Sequence, residues 1–431
     1  MNEYLLQYIW HRQLFSTTSL CTSDGECLEI LDRGEWNHDQ GPDFLGAVIR
    51  LSGMTWAGNV ELHVQTKDWL AHGHQHDPGY ENVILHVVWE HTGAIHPGIP
   101  VLELKDRVPH FMLSTYSGWM QQLRAVPCEE ERRRQQIIPD PQWIRRMVQE
   151  RLGTRTRWIE DRRRLAGGDW EEVFWWAMAR SFGQHVNADA FEELARGLNR
   201  SILARHRHQI QQIEALFLGQ ARLLSIRSDD PYVGLLQREY AHLRHKFKLG
   251  GIRTPIKFLR MRPMNFPTVR LAQLAMLVHT EDRWFSKIRS MRSPEEAERM
   301  LTVTANDFWH YHYRLEKESG CQPKTLGRNM VHNIIINTIV PMLYAYGKIM
   351  NEPSDIKKAM DWLMALPPEH NVATRYFEDD HWQPVDAHSS QAILELERMY
   401  CQQKKCLECD IGIRLLSSEV RPLETVISIG K

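Results

Sequence analysis

The chain has 431 residues, with 53 Lys+Arg against 54 Asp+Glu, and this length predicts two or three domains. Hydrophobic residues make up 42% and charged residues 25%, which excludes wholesale disorder and collagen-like or fibrous repeats. A formal net charge of -1 excludes a globally basic nucleic-acid binder but leaves room for a local basic face. Composition alone assigns no function.

The location of the protein is predicted from its apolar stretches and its cysteines. The longest apolar stretch, residues 333–346, is interrupted by Pro341 and is shorter than the roughly 18–20 residues of a membrane helix. The first fifteen residues carry Glu3, His11 and Arg12 inside their apolar pattern, unlike a signal peptide. An odd number of cysteines, 7 in all, is typical of a reducing compartment. We expect a cytoplasmic protein with no membrane partner, in an oligomeric state that the sequence leaves open.

The N-terminal part of the chain mixes the periodicities of helices and strands. Its last strand candidate, VILHVVW, is apolar along nearly its whole length, as expected of a strand covered on both faces. The pattern predicts a helix, three strands, a short helix or loop, and a fourth strand. These elements fall within residues 1–15, 27–31, 43–51, 59–66, 69–80 and 83–89.

Beyond Pro127 the apolar residues recur at helical spacing, and no fixed-period repeat indicates a solenoid. Asp169 and Asn187 stand directly before two helical runs, where N-cap residues are expected. The predicted helices cover residues 141–165, 170–182, 189–206, 210–224, 268–277, 333–346 and 391–400. We predict an α+β chain with an α/β module at 1–125, an all-α domain at 126–390, and a helix with a Cys-bearing tail at 391–431.

Two carboxylates and a histidine form the first candidate site. Asp43 begins one predicted strand, and Glu61 and His63 lie on the next, across a turn bounded by Gly53 and Gly58. Because side chains alternate along a strand, Glu61 and His63 point to the same face, and an antiparallel neighbour can bring Asp43 beside them. Two converging carboxylates suit Mg²⁺ or Mn²⁺, and such a metal activates water for attack on a phosphate.

This pattern, Pro-Asp followed by 17 residues and Glu-x-His, resembles the PD-(D/E)-x-K motif of the restriction-endonuclease-like nuclease superfamily. The predicted order of elements also fits the αβββαβ core of that superfamily. The resemblance implies that Asp43 and Glu61 hold the metal, that His63 replaces the family's lysine as a metal ligand or general base, and that Glu3 adds an acid from the first helix. Gln65, Tyr80 and His86 are candidate supporting residues around the site.

Nearly the whole chain also resembles a bacterial family of proteins of unknown function. The segments that carry this resemblance are GPDF, WAGNVELH, DWLAHGHQHD, YENVILHVV, RPMNFP and CLECDIG. The resemblance implies no established activity.

Seven histidines fall within the 34 residues from His63 to His96, among them His72, His74 and His76. Imidazoles at this density can hold a transition metal such as zinc. A polar loop that happens to be rich in histidine is the simpler interpretation. The alternative function is a metallohydrolase of a small phosphoester.

The tail contains Cys401, Cys406 and Cys409, with four and two residues between them. The two-residue spacing is typical of zinc and iron–sulfur ligation. A closed site needs a fourth ligand, for which Cys321 and His388 are candidates. The alternative is a set of reduced, partly buried thiols.

Two segments are rich in basic residues. Residues 132–164 hold eleven arginines against four acids, and residues 244–270 hold eight Lys/Arg and no acid. Guanidinium groups suit phosphate and aromatic faces stack on bases, whereas solvated helix faces with i,i+4 ion pairs are the simpler interpretation. The candidate nucleic-acid contacts are Arg253, Lys257, Arg260, Arg262 and Arg270.

The leading hypothesis is a metal-dependent nuclease for DNA, with RNA as the alternative substrate, that uses Mg²⁺ or Mn²⁺ at the acidic site and carries zinc or an iron–sulfur cluster in the tail. A non-catalytic nucleic-acid-binding scaffold on the same fold and the small-phosphoester hydrolase remain as alternatives.

Overall fold

The computed structural model describes residues 1–93, 98–379 and 381–418. It divides the chain into two compact units. Unit 1 comprises Met1–Asp140, Asp379–Trp382 and the stretch from Leu396, and unit 2 comprises Pro141–Glu378 and Gln383–Glu395. A mixed sheet lies in the N-terminal part and a larger helical region follows, so the chain has an α+β fold.

The N-terminal part of unit 1 has the predicted order of helix, three long strands, short helical turns and a further strand. Two 3₁₀ turns, His74–His76 and Pro78–Tyr80, lie in the connection between the strands Met54–Gln65 and Val83–Glu90. The elements are α1 (Glu3–Arg12), β1 (Leu28–Asp32), β2 (Glu35–Trp36), β3 (Phe44–Leu51), β4 (Met54–Gln65), α2 (Asp68–Ala71), β5 (Val83–Glu90), β6 (Val101–Glu103), α3 (His110–Gln121) and α4 (Glu129–Arg134).

The sheet is antiparallel on one side and parallel on the other. Its strand order is β1-β3-β4-β5-β6, with β2 paired to β3. The pairs β1–β3 and β3–β4 are antiparallel, and the pairs β4–β5 and β5–β6 are parallel. Strand β5 is buried from Val83 to Val88, which agrees with the prediction of a strand covered on both faces.

Helix α1 supplies one wall of the unit 1 core and lies against β4. Asn2 caps its N-terminus through a hydrogen bond from the Leu5 amide at 2.8 Å, which satisfies a donor that the helix itself leaves free. The buried residues of the helix are Leu5, Leu6, Tyr8, Ile9 and Trp10. Their burial fixes which face of α1 meets the sheet.

Unit 2 is built mainly from helices. In chain order the elements are α5 (Pro141–Leu165), α6 (Trp170–Phe182), α7 (Gln184–Gly197), α8 (Arg200–His206), α9 (Ile210–Gln220), α10 (Pro231–Phe247), α11 (Pro267–Thr280), α12 (Trp284–Ser290), α13 (Pro294–Leu301), β7 (His312–Arg314), β8 (Lys317–Glu318), α14 (Arg328–Ile334), α15 (Val340–Ile349), α16 (Pro353–Ala365), α17 (Val372–Arg375) and α18 (Ala387–Leu396). Short 3₁₀ turns span Pro263–Asn265 and Asp307–His310, and a π turn spans Ile335–Ile339. A second π turn, Glu397–Cys401, belongs to unit 1. The last helix of the described chain, α19 (Asp410–Ser418), belongs to unit 1.

Helix boundaries show where local sequence signals succeed and fail. Asp169 caps α6 as predicted and accepts hydrogen bonds from the amides of Glu171 and Glu172. The prediction that Asn187 is an N-cap is wrong, because α7 begins earlier and places Asn187 inside the helix. The buried Asn187 amide instead pairs with both backbone groups of Lys257, at 2.9 and 2.8 Å, so a tertiary contact takes the hydrogen bonds that a cap would use.

Glu214 is a deeply buried acid of unit 2 whose carboxylate accepts hydrogen bonds from neutral side chains. It is 1% exposed and accepts hydrogen bonds from Tyr232 Oη at 2.7 Å and Trp309 Nε1 at 3.1 Å. Burial raises its pKa to about 7, although these hydrogen bonds oppose the shift. The protonated carboxyl is therefore the better-tolerated form in the folded protein.

We predict that the wild type loses stability relative to Glu214→Gln as the pH rises from about 5 to 8. A folded-state pKa above the unfolded value favours folding at low pH, and this contribution is lost as the pH rises through the folded pKa. Urea unfolding at each pH, with the exposed Glu316→Gln as the matched control, measures the trend. A free-energy difference that does not change with pH would show that Glu214 titrates normally.

Candidate functional site

Asp43 and Glu61 stand side by side at the end of the β3–β4 hairpin. The Asp43 amide donates to Glu61 Oε2 at 3.0 Å, and the Leu62 amide donates to Asp43 Oδ2 at 3.0 Å. Glu61 is 5% exposed. The two carboxylates predicted from the sequence thus meet in space.

A bulge in β3 makes this meeting possible. From Leu51 to Ala47 the strand follows one register, with Ala47 opposite Gly58, but Phe44 is opposite Val60. An unbroken register would place Asp43 opposite Leu62, on the other face of the sheet, because a shift of one residue exchanges the faces of a strand. Gly46 lies in the bulge with φ of 70°, a conformation that glycine adopts without steric cost.

Helix α1 adds two side chains to the acidic pair. Gln7 Nε2 donates to Asp43 Oδ1 at 2.6 Å, and Glu3 lies close enough to raise the pKa of both Asp43 and Glu61 electrostatically. The sequence indicated Glu3 as a residue of this site but did not indicate Gln7. The signal was present, because Gln7 stands one helical turn after Glu3 on the same face.

The groups around Asp43 and Glu61 do not fully neutralise the negative charge that the two carboxylates would carry if both were ionised. Burial raises the pKa of Asp43 to about 6, and burial together with the Asp43 charge raises the pKa of Glu61 to about 9. Ionisation of both of two adjacent buried carboxylates is energetically unfavourable unless a cation binds between them. The electrostatics therefore favour a bound metal ion or a shared proton.

His63 connects the carboxylates to the other histidines. Its Nδ1 lies 2.9 Å from His86 Nε2, and its Nε2 lies 3.1 Å from His72 Nδ1. Glu61 Oε1 lies 3.6 Å from His63 Nε2 and 3.4 Å from His74 Nε2. One ligand atom from each of His63, His72 and His74 falls within 4.8 Å of the others. We call Asp43, Glu61, His63, His72 and His74 the acid–histidine cluster.

The lowered pKa values of His63, His74 and His86 favour their neutral forms. Burial first, and then the neighbouring histidines, lower the pKa of His63 to about 2, and burial lowers the pKa of His86 to about 4. Neutral imidazole offers a lone pair, which is the form that binds metal. His74 Nε2 is buried and has no hydrogen-bond partner among the residues that the structure describes, so the donor set includes an atom for which a metal ion would be a partner.

His72 is the exposed member of the cluster, and two aromatic rings pack against His74. The Tyr80 ring stacks on His74 with 3.9 Å between centroids, and the Trp69 ring meets His74 edge-on at 5.4 Å. Burial and the two carboxylates raise the pKa of Tyr80 to about 12, so its hydroxyl keeps its proton at neutral pH. The predicted supporting residues Tyr80 and His86 lie at the cluster.

Gln65 occupies a different position. Its backbone amide donates to Asp68 Oδ2 at 2.8 Å, and its side chain hydrogen-bonds Glu90. Gln65 lies on the same face of β4 as His63. It is the last residue of the strand, however, and lies beyond the carboxylates of Asp43 and Glu61. His72 and His74, which the sequence assigned to a separate alternative site, share one site with Asp43 and Glu61.

The predicted nucleic-acid contacts all lie in unit 2. Arg253, Lys257, Arg260 and Arg262 are exposed. Arg270 is 6% exposed, donates to Gln273 Oε1 and Asn265 Oδ1, and lines a cleft of about 800 Å³. Arg270 is thus part of the wall of this cleft, whereas the four exposed residues remain candidates for contact with a polyanion.

The earlier basic segment is largely ion-paired. Its acidic partners lie on the same helix or on neighbouring elements of the same unit, at distances from 2.8 to 3.5 Å. The pairs are Arg132–Asp379, Arg133–Glu129, Arg146–Glu150, Arg151–Glu395, Arg162–Glu192 and Arg163–Glu160. The i,i+4 pairs of Arg133 and Arg146 are of the kind that the simpler interpretation predicted. Arg132 and Arg151 differ from it, because they pair with acids that are distant in the chain.

The molecule is thus an α+β protein with a partly buried acid–histidine cluster on a mixed sheet. The chain belongs to the family described as "Protein of unknown function (DUF2851)", whose model matches residues 3–372. No curated protein and no solved structure matches the chain. Among the helices of the described ranges, none combines the length and apolarity that a bilayer crossing requires.

We predict that the protein binds one divalent transition metal at the acid–histidine cluster, and that His72→Ala weakens this binding by at least about 10-fold, as even the loss of a side chain supporting a metal ligand does. His76→Ala is the matched control, because His76 is an exposed histidine of the same connection outside the trio. Calorimetric titration with Zn²⁺ and Mn²⁺ measures both variants. Equal affinities for the two variants would exclude His72 as a ligand.

We also predict that Glu61→Gln stabilises the metal-free protein at pH 8, by at least about 1 kcal/mol, because it removes a buried acid whose ionisation is unfavourable. The same change should abolish stabilisation by metal, which for the wild type reaches about 2.7 kcal/mol at a metal concentration 100 times Kd. Thermal unfolding of the wild type and of Glu61→Gln, each with and without Mn²⁺, measures both effects. Glu81→Gln, at an exposed acid of the same unit, should change neither value.

Proposed function

We propose that the protein is a metal-dependent hydrolase of phosphodiester bonds in nucleic acid, acting on DNA with RNA as the alternative substrate. The observation that carries the proposal is the convergence of Asp43, Glu61 and His63. The order of elements and the parallel pairing of β4 with β5 support it, since both fit the core implied by the resemblance to PD-(D/E)-x-K nucleases.

The donor atoms indicate which metal the site would accept. His63, His72 and His74 offer three nitrogens within 4.8 Å of one another. Glu61 offers an oxygen 3.6 Å from His63 Nε2 and 3.4 Å from His74 Nε2, and Asp43 adds a carboxylate beside Glu61. Nitrogen-rich sets suit Zn²⁺ or Mn²⁺ better than Mg²⁺, which prefers oxygen ligands and bound water. When bound, such a metal would polarise the phosphate and lower the pKa of a water molecule.

The surrounding residues would fix these ligands and limit their protonation. His86 orients the His63 ring through Nδ1, which leaves Nε2 for the metal. Both nitrogens of His63 are therefore engaged, and its low pKa makes it a ligand rather than a general base. Gln7 and the Leu62 amide hold the Asp43 carboxylate in place. The Tyr80 hydroxyl keeps a proton that it can donate in a hydrogen bond.

A small phosphoester is the second candidate substrate, and the three convergent histidines favour it. The same metal chemistry serves both substrates. A nuclease and a small-molecule hydrolase therefore differ in whether hydrolysis requires a contact between basic residues and a polyanion. A nuclease should depend on the exposed cations Arg260 and Arg262, whereas a small-molecule hydrolase should not. The non-catalytic scaffold predicts salt-dependent binding of nucleic acid with no turnover.

The direct test is cleavage of single- and double-stranded DNA and of RNA with Mn²⁺, Zn²⁺ or Mg²⁺. We expect Asp43→Asn and Glu61→Gln to lower the cleavage rate at least about 100-fold, because loss even of a side chain that supports a metal ligand costs about 10- to 100-fold. His76→Ala and Glu81→Gln, at exposed positions of the same unit, should keep the wild-type rate. Cleavage that survives both acidic substitutions would come from a contaminant or another site.

The same preparations distinguish the alternatives. The double variant Arg260→Ala, Arg262→Ala should weaken DNA cleavage but leave hydrolysis of bis(p-nitrophenyl) phosphate unchanged. Turnover of the small ester alone would favour the small-molecule enzyme. A folded, metal-loaded protein that cuts none of these substrates but binds DNA in a salt-dependent way would favour the scaffold.

A further inference from the structure

Arg270, near the N-terminus of α11, is a buried arginine without an acidic partner among the described residues. Only 6% of it is exposed. Its guanidinium donates to Gln273 Oε1 at 2.9 Å and to Asn265 Oδ1 at 2.6 Å, and both acceptors are neutral amide oxygens. Its Nε is buried and has no hydrogen-bond partner in the described ranges. The guanidinium is therefore held in position while its charge is left uncompensated.

The other buried arginine of the described chain has the ion pair that Arg270 lacks. Arg132 is 1% exposed and pairs with Asp379 at 2.8 Å. Burial lowers the pKa of Arg270 to about 10, which still leaves the side chain protonated at neutral pH. A buried charge without a counter-ion is unfavourable, and the peptide dipoles at the start of α11 add further positive potential. An anion bound beside Arg270 would offset both.

Space for such an anion exists in the cleft of about 800 Å³ that Arg270 lines, a volume typical of small-molecule sites. Arg155 and Arg180 also line this cleft, and Asp189 is its lining acid. Arg180 pairs with Asp189 at 2.5 Å and with Glu192 at 2.9 Å, so these carboxylates are already engaged by another cation. The charge balance of the cleft wall therefore favours an anionic ligand.

A row of asparagine amides forms a second wall of the cleft. Asn329 and Asn333 lie on α14, and Asn337 lies in the π turn that follows. Side chains four residues apart share one face of a helix, and π turns are frequent at functional sites. The Nδ2 atoms of Asn333 and Asn337 donate to Glu369 Oε1 at 3.1 and 3.2 Å. Their carbonyl oxygens are thus the atoms that can accept hydrogen bonds from ligand hydroxyl groups.

The remaining wall of the cleft is partly apolar. Trp158, Ile159 and Met342 line it together with the polar residues. Apolar surface with a few convergent polar groups is the usual composition of a site for an organic molecule. An inorganic anion would use the charge of Arg270 but neither the asparagine row nor this apolar surface.

We propose that the cleft of unit 2 binds a small phosphate ester that carries hydroxyl groups, with its phosphate beside Arg270 and its hydroxyl groups towards Asn333 and Asn337. Guanidinium groups match phosphate in charge and geometry, and several cations in one wall suit a dianion better than a single carboxylate. The proposal does not rest on the nuclease function, because the residues that line the cleft belong to unit 2 and the acid–histidine cluster belongs to unit 1.

Calorimetric titration of the full-length protein, freed of metal by a chelator, tests this binding. Removing the metal keeps the acid–histidine cluster from holding or hydrolysing an ester through a bound ion. The probe is ribose 5-phosphate, and its two halves, ribose and inorganic phosphate, are titrated separately. We expect ribose 5-phosphate to bind more tightly than either half. Arg270→Gln should weaken its binding at least about 10-fold, whereas Arg227→Gln, at an exposed arginine of the same unit outside the cleft, should keep the wild-type affinity.

A second pair of variants keeps the test decisive if Arg270→Gln fails to fold. His185 is exposed and lines the cleft, so a substitution there changes the charge of the wall without disturbing the core. His185→Glu should bind ribose 5-phosphate on the order of 5-fold more weakly than His185→Gln, because it places a negative charge near the phosphate. Added salt should reduce this difference.

The same titrations define the results that would overturn the proposal. These are an absence of binding by ribose 5-phosphate, equal affinities of the wild type and a folded Arg270→Gln, and binding no tighter than that of inorganic phosphate, which would indicate an adventitious ion only. Binding of oligonucleotides without ribose 5-phosphate would also overturn it and assign the cleft to a polymer. Within the proposal, tighter binding of AMP would identify a nucleotide as the source of the ester, and weaker binding a sugar phosphate.

Discussion

The interaction on which the candidate site depends is the repulsion between two buried carboxylates. Asp43 and Glu61 share one side of a sheet, with Glu3 of the first helix nearby. A protein interior does not stabilise adjacent negative charges, so the arrangement persists only with a proton or a cation between them. The proposed metal ion would satisfy both kinds of donor, because the neutral histidines His63 and His74 lie beside Glu61.

The acid–histidine cluster combines burial with contact to solvent. Glu61 and His63 are buried, whereas His72 is exposed. A catalytic metal site keeps an open position for its substrate, whereas a structural site has all its ligands committed. The exposure of His72 therefore agrees with the catalytic role proposed for the cluster.

Much of the fold follows from local pattern. Helices α5 and α6 begin and end where the apolar spacing predicts, because their periodicity is long and uninterrupted. The π turn Ile335–Ile339 lies directly before α15, which has Pro341 in its first turn. Proline cannot donate a backbone hydrogen bond, so an apolar run that the sequence shows as one segment becomes α14, a π turn and α15.

The sequence by itself determined the residue types of the site, the face shared by Glu61 and His63, and the order of helix and strands. It could not determine that Asp43 joins them, because the bulge at Gly46 sets the register and its position depends on how β3 and β4 pair. Nor could it show that α4 and α19, which lie far apart in the chain, are in contact. Periodicity reports only neighbours along the chain, whereas contacts between distant residues are decided when separate elements bury their apolar faces together.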